Sequence, residues 1–391
     1  MGIGIKALFF FFLFILFIGQ SCVNDPNSQS PFQDNGFETT TTFENRRKET
    51  LAERNEKMEE ADFFRRVKDE GLAVTINSYV SPPRNPCPEI VVLDTRQIKD
   101  DQFVDGLIEQ AYLQDKSCRS VFTGNAGGYS DVKKSYTRIF AYSMIQDICA
   151  PVGRDQISQA LQLPKMGTQD ALGLKQFNNG AKSEASMDNL ITTYSLTYAL
   201  GQRESDGNFR EGRDITAQNK SLKNEESGLT QTSANSLELN ASFPLQKTYL
   251  KDVFRNYVTQ LSTMTIQKRE NFCLTNQAKY LQGPKLHELF NDGDCSKILG
   301  TIKSDDYPVN SAVSKCFREL HKQCPSFSIK YGASVTRIDR RHNGPLYTHE
   351  ELVNKGLTAR KYAKPYMKPS CHSLFNSIAV NKEKICQQIN N

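Results

Sequence analysis

The sequence predicts an α+β, mainly α-helical protein. From about Arg119 onward, five segments place apolar residues at intervals of three and four, which is the spacing of helices with an apolar face. Two short runs, at 72–80 and 89–94, have strand-like patterns and flank a proline-rich turn. At 391 residues and 38% apolar composition, the chain is long enough to bury a sizeable core. The five helical segments span residues 130–150, 187–204, 245–264, 311–324 and 369–389.

The first 21 residues predict a signal peptide. One lysine precedes an apolar stretch from Ala7 to Ile18, and small residues follow it before Cys22. The stretch is too short to span a bilayer comfortably, so we expect export to the periplasm or cell envelope, or secretion. The sequence leaves open whether Cys22 carries a lipid that would anchor the protein to an outer or other membrane. Bacterial lipoproteins usually have a leucine-like residue where this chain has Gly19.

Three further segments follow the signal peptide. Residues 22–45 are polar, turn-rich and without periodicity, which predicts a flexible tether. Residues 46–115 begin with a densely charged stretch that predicts a solvated helix, and the two strand-like runs then form a small segment packed on the main domain. Residues 116–391 are expected to form that main, mostly helical domain.

Cysteine usage and charge narrow the classes of function. The ten cysteines form no CxxC pair and no common zinc spacing, so we expect disulfides in an oxidising compartment and no metal site. The net charge of +5 is spread along the chain, so no nucleic-acid partner is predicted. Dinucleotide and phosphate-loop motifs are lacking, and His349 has no second histidine at zincin spacing. We therefore expect no cofactor.

One stretch carries the chemistry. The helix over 187–204 is apolar nearly all round, which indicates burial, and it ends by delivering Glu204 into the polar turn of residues 201–214. Partial desolvation at such a helix end favours the neutral form of a carboxyl group, as a general acid requires. A second polar turn at 228–231 brings a glycine and a glutamine amide. Two polar turns around one acid predict a cleft.

These residues also resemble a known superfamily. Glu204-Ser205 at the end of a buried helix, followed by the Gly-Leu-Thr-Gln run at 228–231, resembles lytic transglycosylases and goose-type lysozymes. The runs "RESDGNFREGRD…GLTQTS" and "CPSFSIKYGASVTRIDRRHNGPL" are similar to a branch of bacterial lysozyme-like proteins. The resemblance covers roughly residues 130–355. The chain departs from the pattern in a wider gap between the two motifs and in Thr230, where methionine is commoner.

The resemblance implies a lysozyme-like fold and an activity. Glu204 would be the general acid that cleaves the β-1,4 bond between MurNAc and GlcNAc in peptidoglycan glycan strands. Ser205 and Gln231 would position the sugar. The same glutamate could then act as a base while a sugar hydroxyl closes a 1,6-anhydro ring, or a second group could direct water for hydrolysis. The sequence leaves both outcomes open.

Three more residues are candidates for binding substrate. Asp214 either activates water as the second carboxylate of an inverting hydrolase or pairs with Arg210 or Arg213, and we favour the pairing. His342 either serves as a turn or cap residue or lines the cleft, where Tyr347 would offer a ring for a sugar to stack on. The alternative function is a non-catalytic cell-envelope protein that binds glycan or a partner in a lysozyme-like groove.

Overall fold

The structure is a computed structural model, and its described residues all lie in the second of the chain's two units, Ile90–Asn391. The predicted signal peptide, tether, charged helix and two strand-like runs lie outside the described residues, as do Cys22 and Cys87. The structure describes residues 101–119, 129–150, 156–174, 181–205, 207–209, 221–242, 244–277, 286–342, 346 and 370–390.

The described residues form thirteen α-helices and one small sheet, which confirms the mainly helical class. The helices are α1 Asp101–Gln114, α2 Lys116–Arg119, α3 Tyr129–Cys149, α4 Gln156–Gln162, α5 Met187–Ser205, α6 Tyr249–Thr263, α7 Ile266–Phe272, α8 Leu286–Asn291, α9 Asp294–Lys297, α10 Ser311–Gln323, α11 Pro325–Ile338, α12 His372–Val380 and α13 Lys382–Asn390. The antiparallel strands are β1 Glu226–Ser227 and β2 Thr232–Ser233. Short 3-10 helices span Ala171–Gly173, Leu222–Asn224, Ala234–Glu238, Thr275–Gln277, Thr301–Lys303 and Arg340–His342.

Each of the five predicted helical segments contains a helix. Four of them hold α3, α5, α6 and α10. The fifth holds both α12 and α13, which are separated at Asn381. The Asn381 side chain donates to the carbonyl of Ser377 over 2.8 Å, so it satisfies a carbonyl that the end of α12 leaves open.

Helix α11 lies at the centre of the helical body and is absent from the predicted helices. Its residues from Pro325 to Arg337 are all buried, and it packs against α3, α4, α5, α6 and α10. Pro325 begins the helix, where a proline costs no hydrogen bond. Because other elements surround α11 on all sides, its sequence lacks the alternation of an apolar and a polar face from which a helix could be predicted.

Helix α5 is buried from Asn189 to Gln202, which confirms the buried helix that the sequence predicts. Tyr194 and Tyr198 on one side join the main apolar cluster of the body. Leu196 and Leu200 on another side join a second, smaller cluster. Two apolar clusters therefore hold the helix that carries Glu204.

The helical body includes residues before the boundary that the sequence suggested at 116. Helix α1 packs against α3 and α12. Asp105 on α1 and Arg138 on α3 form an ion pair of 2.7 Å. The body therefore extends back at least to Asp101.

Four disulfides join described cysteines, as the cysteine content predicts. Two of them tie the C-terminal helices to α2 and α3 across 253 and 237 residues of sequence. Such bonds fit an extracytoplasmic, oxidising environment. Among the described helices, none is both long and apolar enough to cross a membrane. The pairs are Cys118–Cys371, Cys149–Cys386, Cys273–Cys324 and Cys295–Cys316.

Candidate active site

Glu204 lies where the buried helix α5 reaches the surface. Arg203 and Glu204 are partly exposed, whereas Gln202 before them and Ser205 after them are buried. The Glu204 side chain therefore lies where the helix passes from the packed core to the surface.

The end of α5 is fixed by hydrogen bonds to the carbonyl of Gly201. The hydroxyl of Ser205 donates to this carbonyl over 2.7 Å, and the amide of Gly207 approaches it at 3.3 Å. Gly207 has a φ of 77°, a left-handed conformation that glycine adopts without strain. Phe209 then returns to the core beside the ring of Tyr136. The Ser205 hydroxyl hydrogen is thus used within the helix, so a sugar contact by Ser205 would use an oxygen lone pair.

The last turns of α5 touch the turn at 228–231. A Cβ atom added to Gly201 would lie 2.6 Å from Cγ of Leu229 and 2.8 Å from the hydroxyl of Tyr136. Leu229 is fully buried. Only a glycine at 201 lets Leu229 come this close to the helix three residues before Glu204. The end of the helix that bears Glu204 therefore contacts the turn at 228–231.

Replacing Gly201 by alanine is expected to lower the free energy of unfolding by about 1–3 kcal/mol, because the new methyl group overlaps Leu229. The matched control is Gly106→Ala on α1, where an added Cβ meets no atom within 4 Å. That control should be neutral or stabilising, since alanine is the better helix former. Chemical denaturation of both variants measures the difference. Equal stability changes in the two variants would contradict the close contact at Gly201.

The turn itself has an unusual backbone. Strands β1 and β2 pair Ser227 with Thr232, and the four residues between them form the turn. Gly228 has a φ of 71° and Gln231 has a φ of 48°, so both ends are left-handed. The amide nitrogen Nε2 of Gln231 donates to the carbonyl of Gly228 over 2.9 Å, and Gln231 is only 7% exposed. The Gln231 side chain therefore stabilises the turn to which it belongs.

Helices α10 and α11 hold the other side of this turn. The amide of Leu229 donates to Oγ of Ser328 over 3.0 Å. A Cβ on Gly332 would lie 2.5 Å from Oγ1 of Thr230, and a Cβ on Gly228 would lie 2.9 Å from Cβ of His321. The turn is thus clamped between the end of α5 and the pair α10 and α11.

His321 belongs to this clamp and is not among the candidates that the sequence suggested. Its ring is fully buried and lies 4.5–5.4 Å, between centroids, from the rings of Phe317, Phe327 and Tyr331. Its Nδ1 atom is 3.2 Å from Oγ of Ser328. Burial lowers the pKa of His321 to about 3. The only sequence signal was its place on the apolar face of α10.

His321 should make the protein less stable in acid. Its folded pKa of about 3 lies below the ordinary value of 6.5, so the unfolded chain binds the proton first. The stability that this group contributes is present above pH 6.5 and is lost as the pH falls toward 3. Between pH 7 and pH 5 the loss is about 2 kcal/mol. Denaturation at both pH values should show this loss in the wild type, and a His321→Leu variant should lack that component. An unchanged difference would contradict the assignment.

The structure brings His342 to the same hairpin. His342 ends the 3-10 helix that follows α11, and its Nε2 atom is 3.4 Å from Oγ of Ser233 on β2. Burial lowers the pKa of His342, and the nearby Asp339 opposes this shift. His342 is thus a neighbour of the hairpin that carries Gln231.

Two candidates lie outside the described residues, namely Asp214 and Tyr347. Of the others, Glu204 and Ser205 lie at the end of α5, which contacts the turn that Gln231 closes, and His342 contacts the strand after that turn. Among the described residues, no group of histidine, cysteine, aspartate or glutamate side chains could hold a metal ion. The arrangement offers a partly exposed glutamate at the end of a helix whose last turns contact a rigid polar hairpin.

Comparisons of the chain with protein-family models, with curated proteins and with solved structures find no match.

Proposed function

We propose that this protein cleaves the β-1,4 bond between MurNAc and GlcNAc in peptidoglycan glycan strands, with Glu204 as the general acid. The observation that carries the proposal is the contact between Gly201 and Leu229. This contact joins the end of the helix that bears Glu204 to the Gly-Leu-Thr-Gln turn, the two motifs on which the resemblance to lytic transglycosylases and goose-type lysozymes rests.

The chemistry needs one carboxyl group that gives up a proton and later takes one back. Glu204 would protonate the glycosidic oxygen as the bond to the MurNAc anomeric carbon breaks. The carboxylate would then accept a proton either from a hydroxyl of the same sugar, which closes a 1,6-anhydro ring, or from water. Partial exposure at the end of a buried helix supports this role, because the group can reach a polymer and still be held by the core.

The compartment supports the same proposal. The predicted signal peptide and the four disulfides fit an exported protein, and peptidoglycan lies in the envelope. If Cys22 carries a lipid, the tether at 22–45 would let the domain reach the wall from the membrane. Without a lipid, the protein would be free after signal-peptide cleavage. Anchoring by a lipid on Cys22 and release after signal-peptide cleavage both fit this proposal.

A second candidate is a non-catalytic envelope protein that binds glycan in the same groove. One observation is compatible with it: Ser205 and Gln231 both use side-chain hydrogens within the fold, as residues that shape a groove without taking part in catalysis would do. This candidate predicts retention on the wall without cleavage.

Incubation with purified sacculi separates the two candidates. The enzyme is expected to release soluble muropeptides with time, whereas a binder would sediment with the sacculi and release nothing. Measuring both the sedimented protein and the soluble sugar in one experiment gives each candidate its own signature. Sedimentation without release would reject cleavage in favour of binding.

A further inference from the structure

A chain of two hydrogen bonds links the turn at 228–231 to the buried His321. The amide of Leu229 donates to Oγ of Ser328 over 3.0 Å, and Nδ1 of His321 lies 3.2 Å from the same oxygen. All three residues are fully buried, so water does not compete for these bonds. Leu229 is also the residue that contacts Gly201 on α5.

The direction of the chain follows from the donors. Because the Ser328 oxygen accepts the Leu229 amide hydrogen, the hydroxyl hydrogen of Ser328 is available for His321. The Ser328 hydroxyl hydrogen has no other acceptor among the described residues, so the arrangement that leaves fewer groups unpaired has Nδ1 of His321 as its acceptor, with the ring neutral and its hydrogen on Nε2. Nε2 is buried and has no hydrogen-bond partner among the described residues. An unpaired buried ring nitrogen lowers the stability of the fold. This indicates that the hydrogen bond at Nδ1 is the reason for a histidine at this position.

The surroundings fix the ring in this orientation. Phe317, Phe327 and Tyr331 enclose it, and the Tyr331 hydroxyl is used by Ser236 over 2.9 Å. Ser328 is the hydrogen-bond partner that the structure gives His321. The ring therefore cannot turn to serve another group without repacking the aromatic cluster.

We propose that His321 is a positioning residue of the site. Acting through Ser328, its Nδ1 atom holds the Leu229 amide and so keeps the turn at 228–231 seated against the helix end that bears Glu204. This inference rests on the proposed function for its catalytic consequence, whereas the hydrogen-bonded relay stands on the geometry alone.

Amide hydrogen exchange at Leu229 tests the relay without any activity. His321→Leu is expected to speed this exchange about tenfold, and Ser328→Ala should do the same. The double variant should add little to either change, because both break one chain of bonds. His321→Asn keeps an acceptor near the Nδ1 position and should restore most of the protection. Nitrogen NMR of the wild-type ring at neutral pH should show the hydrogen on Nε2.

Additive effects of the two substitutions, no rescue by asparagine, or a hydrogen on Nδ1 would each overturn the relay. Muropeptide release gives the second readout. His321→Leu should lower kcat about tenfold with little change in KM, and asparagine should restore it. Wild-type protein that releases nothing, together with an intact exchange pattern, would reject the proposed function and leave the relay standing. Normal kcat in His321→Leu would overturn the catalytic part.

Discussion

Glu204→Gln should reduce the release of soluble muropeptides from sacculi by about 10²–10⁴-fold, which is the usual contribution of a general acid. Glutamine keeps the size of glutamate and one acceptor oxygen, but its amide cannot transfer a proton to the glycosidic oxygen. Binding to sacculi should be nearly unchanged, because the substitution removes the acidic proton but leaves the shape of the binding surface unchanged. The measurement is the initial rate of soluble sugar release.

The matched control for this substitution is Glu383→Gln. Glu383 is an exposed residue in the first turn of α13, and it has no part in the candidate site. Denaturation of both variants measures their stability, so a loss of release in a folded Glu204→Gln protein, with normal release by Glu383→Gln, reports on chemistry. Release at the wild-type rate by Glu204→Gln would remove Glu204 from the mechanism.

Asp170→Ala should lower the free energy of unfolding by about 3–5 kcal/mol, because it leaves a buried arginine without its counter-charge. Nε of Arg337 lies 2.9 and 3.0 Å from the two carboxylate oxygens of Asp170. The Arg337 side chain is 1% exposed and that of Asp170 is fully buried. The arginine also donates to the carbonyls of Leu161 and Leu163 over 2.7 and 2.8 Å. One side chain thus connects α11 to the end of α4.

Asp305→Ala provides the control for this loss. Asp305 pairs with Arg255 at 2.7 Å, but its side chain is 61% exposed, so solvent screens the interaction. Its removal should change the stability by less than about 1 kcal/mol. Equal losses in Asp170→Ala and Asp305→Ala would show that burial does not set the strength of the Arg337 pair. Denaturant unfolding at one pH measures both.

Helices with one apolar face could be predicted from the sequence, whereas the central helix could not. α10 alternates a buried stripe with charged residues, and the interval of three and four residues makes it visible. α11 is buried on every side, so it has no single apolar face. Its serines, Lys330 and Arg337 therefore make the sequence resemble an irregular polar segment. The buried charges have partners from distant parts of the chain, such as Asp147 and Asp170. Pairing over such distances leaves no local pattern.

The candidate site was predicted in part. The burial of α5 and the emergence of Glu204 follow from the apolar pattern that ends at Gly201. The contact of Gly201 with Leu229, by contrast, depends on a glycine whose role is close packing and not flexibility. The left-handed φ of Gln231 and the hydrogen bond of His321 to Ser328 behind the turn are set by the tertiary fold. A single sequence carries no signal for them.

Mass spectrometry of the products released by the wild-type protein tests the central claim most directly. If Glu204 protonates the oxygen between MurNAc and GlcNAc, each cut leaves a MurNAc at the new reducing-side end of one fragment and a GlcNAc at the new non-reducing end of the other. The MurNAc end is either a 1,6-anhydro ring or a reducing sugar heavier by one water, so the same spectrum also identifies the acceptor. Fragments whose new reducing end is GlcNAc, or a wild-type digest with no soluble fragments, would contradict the account.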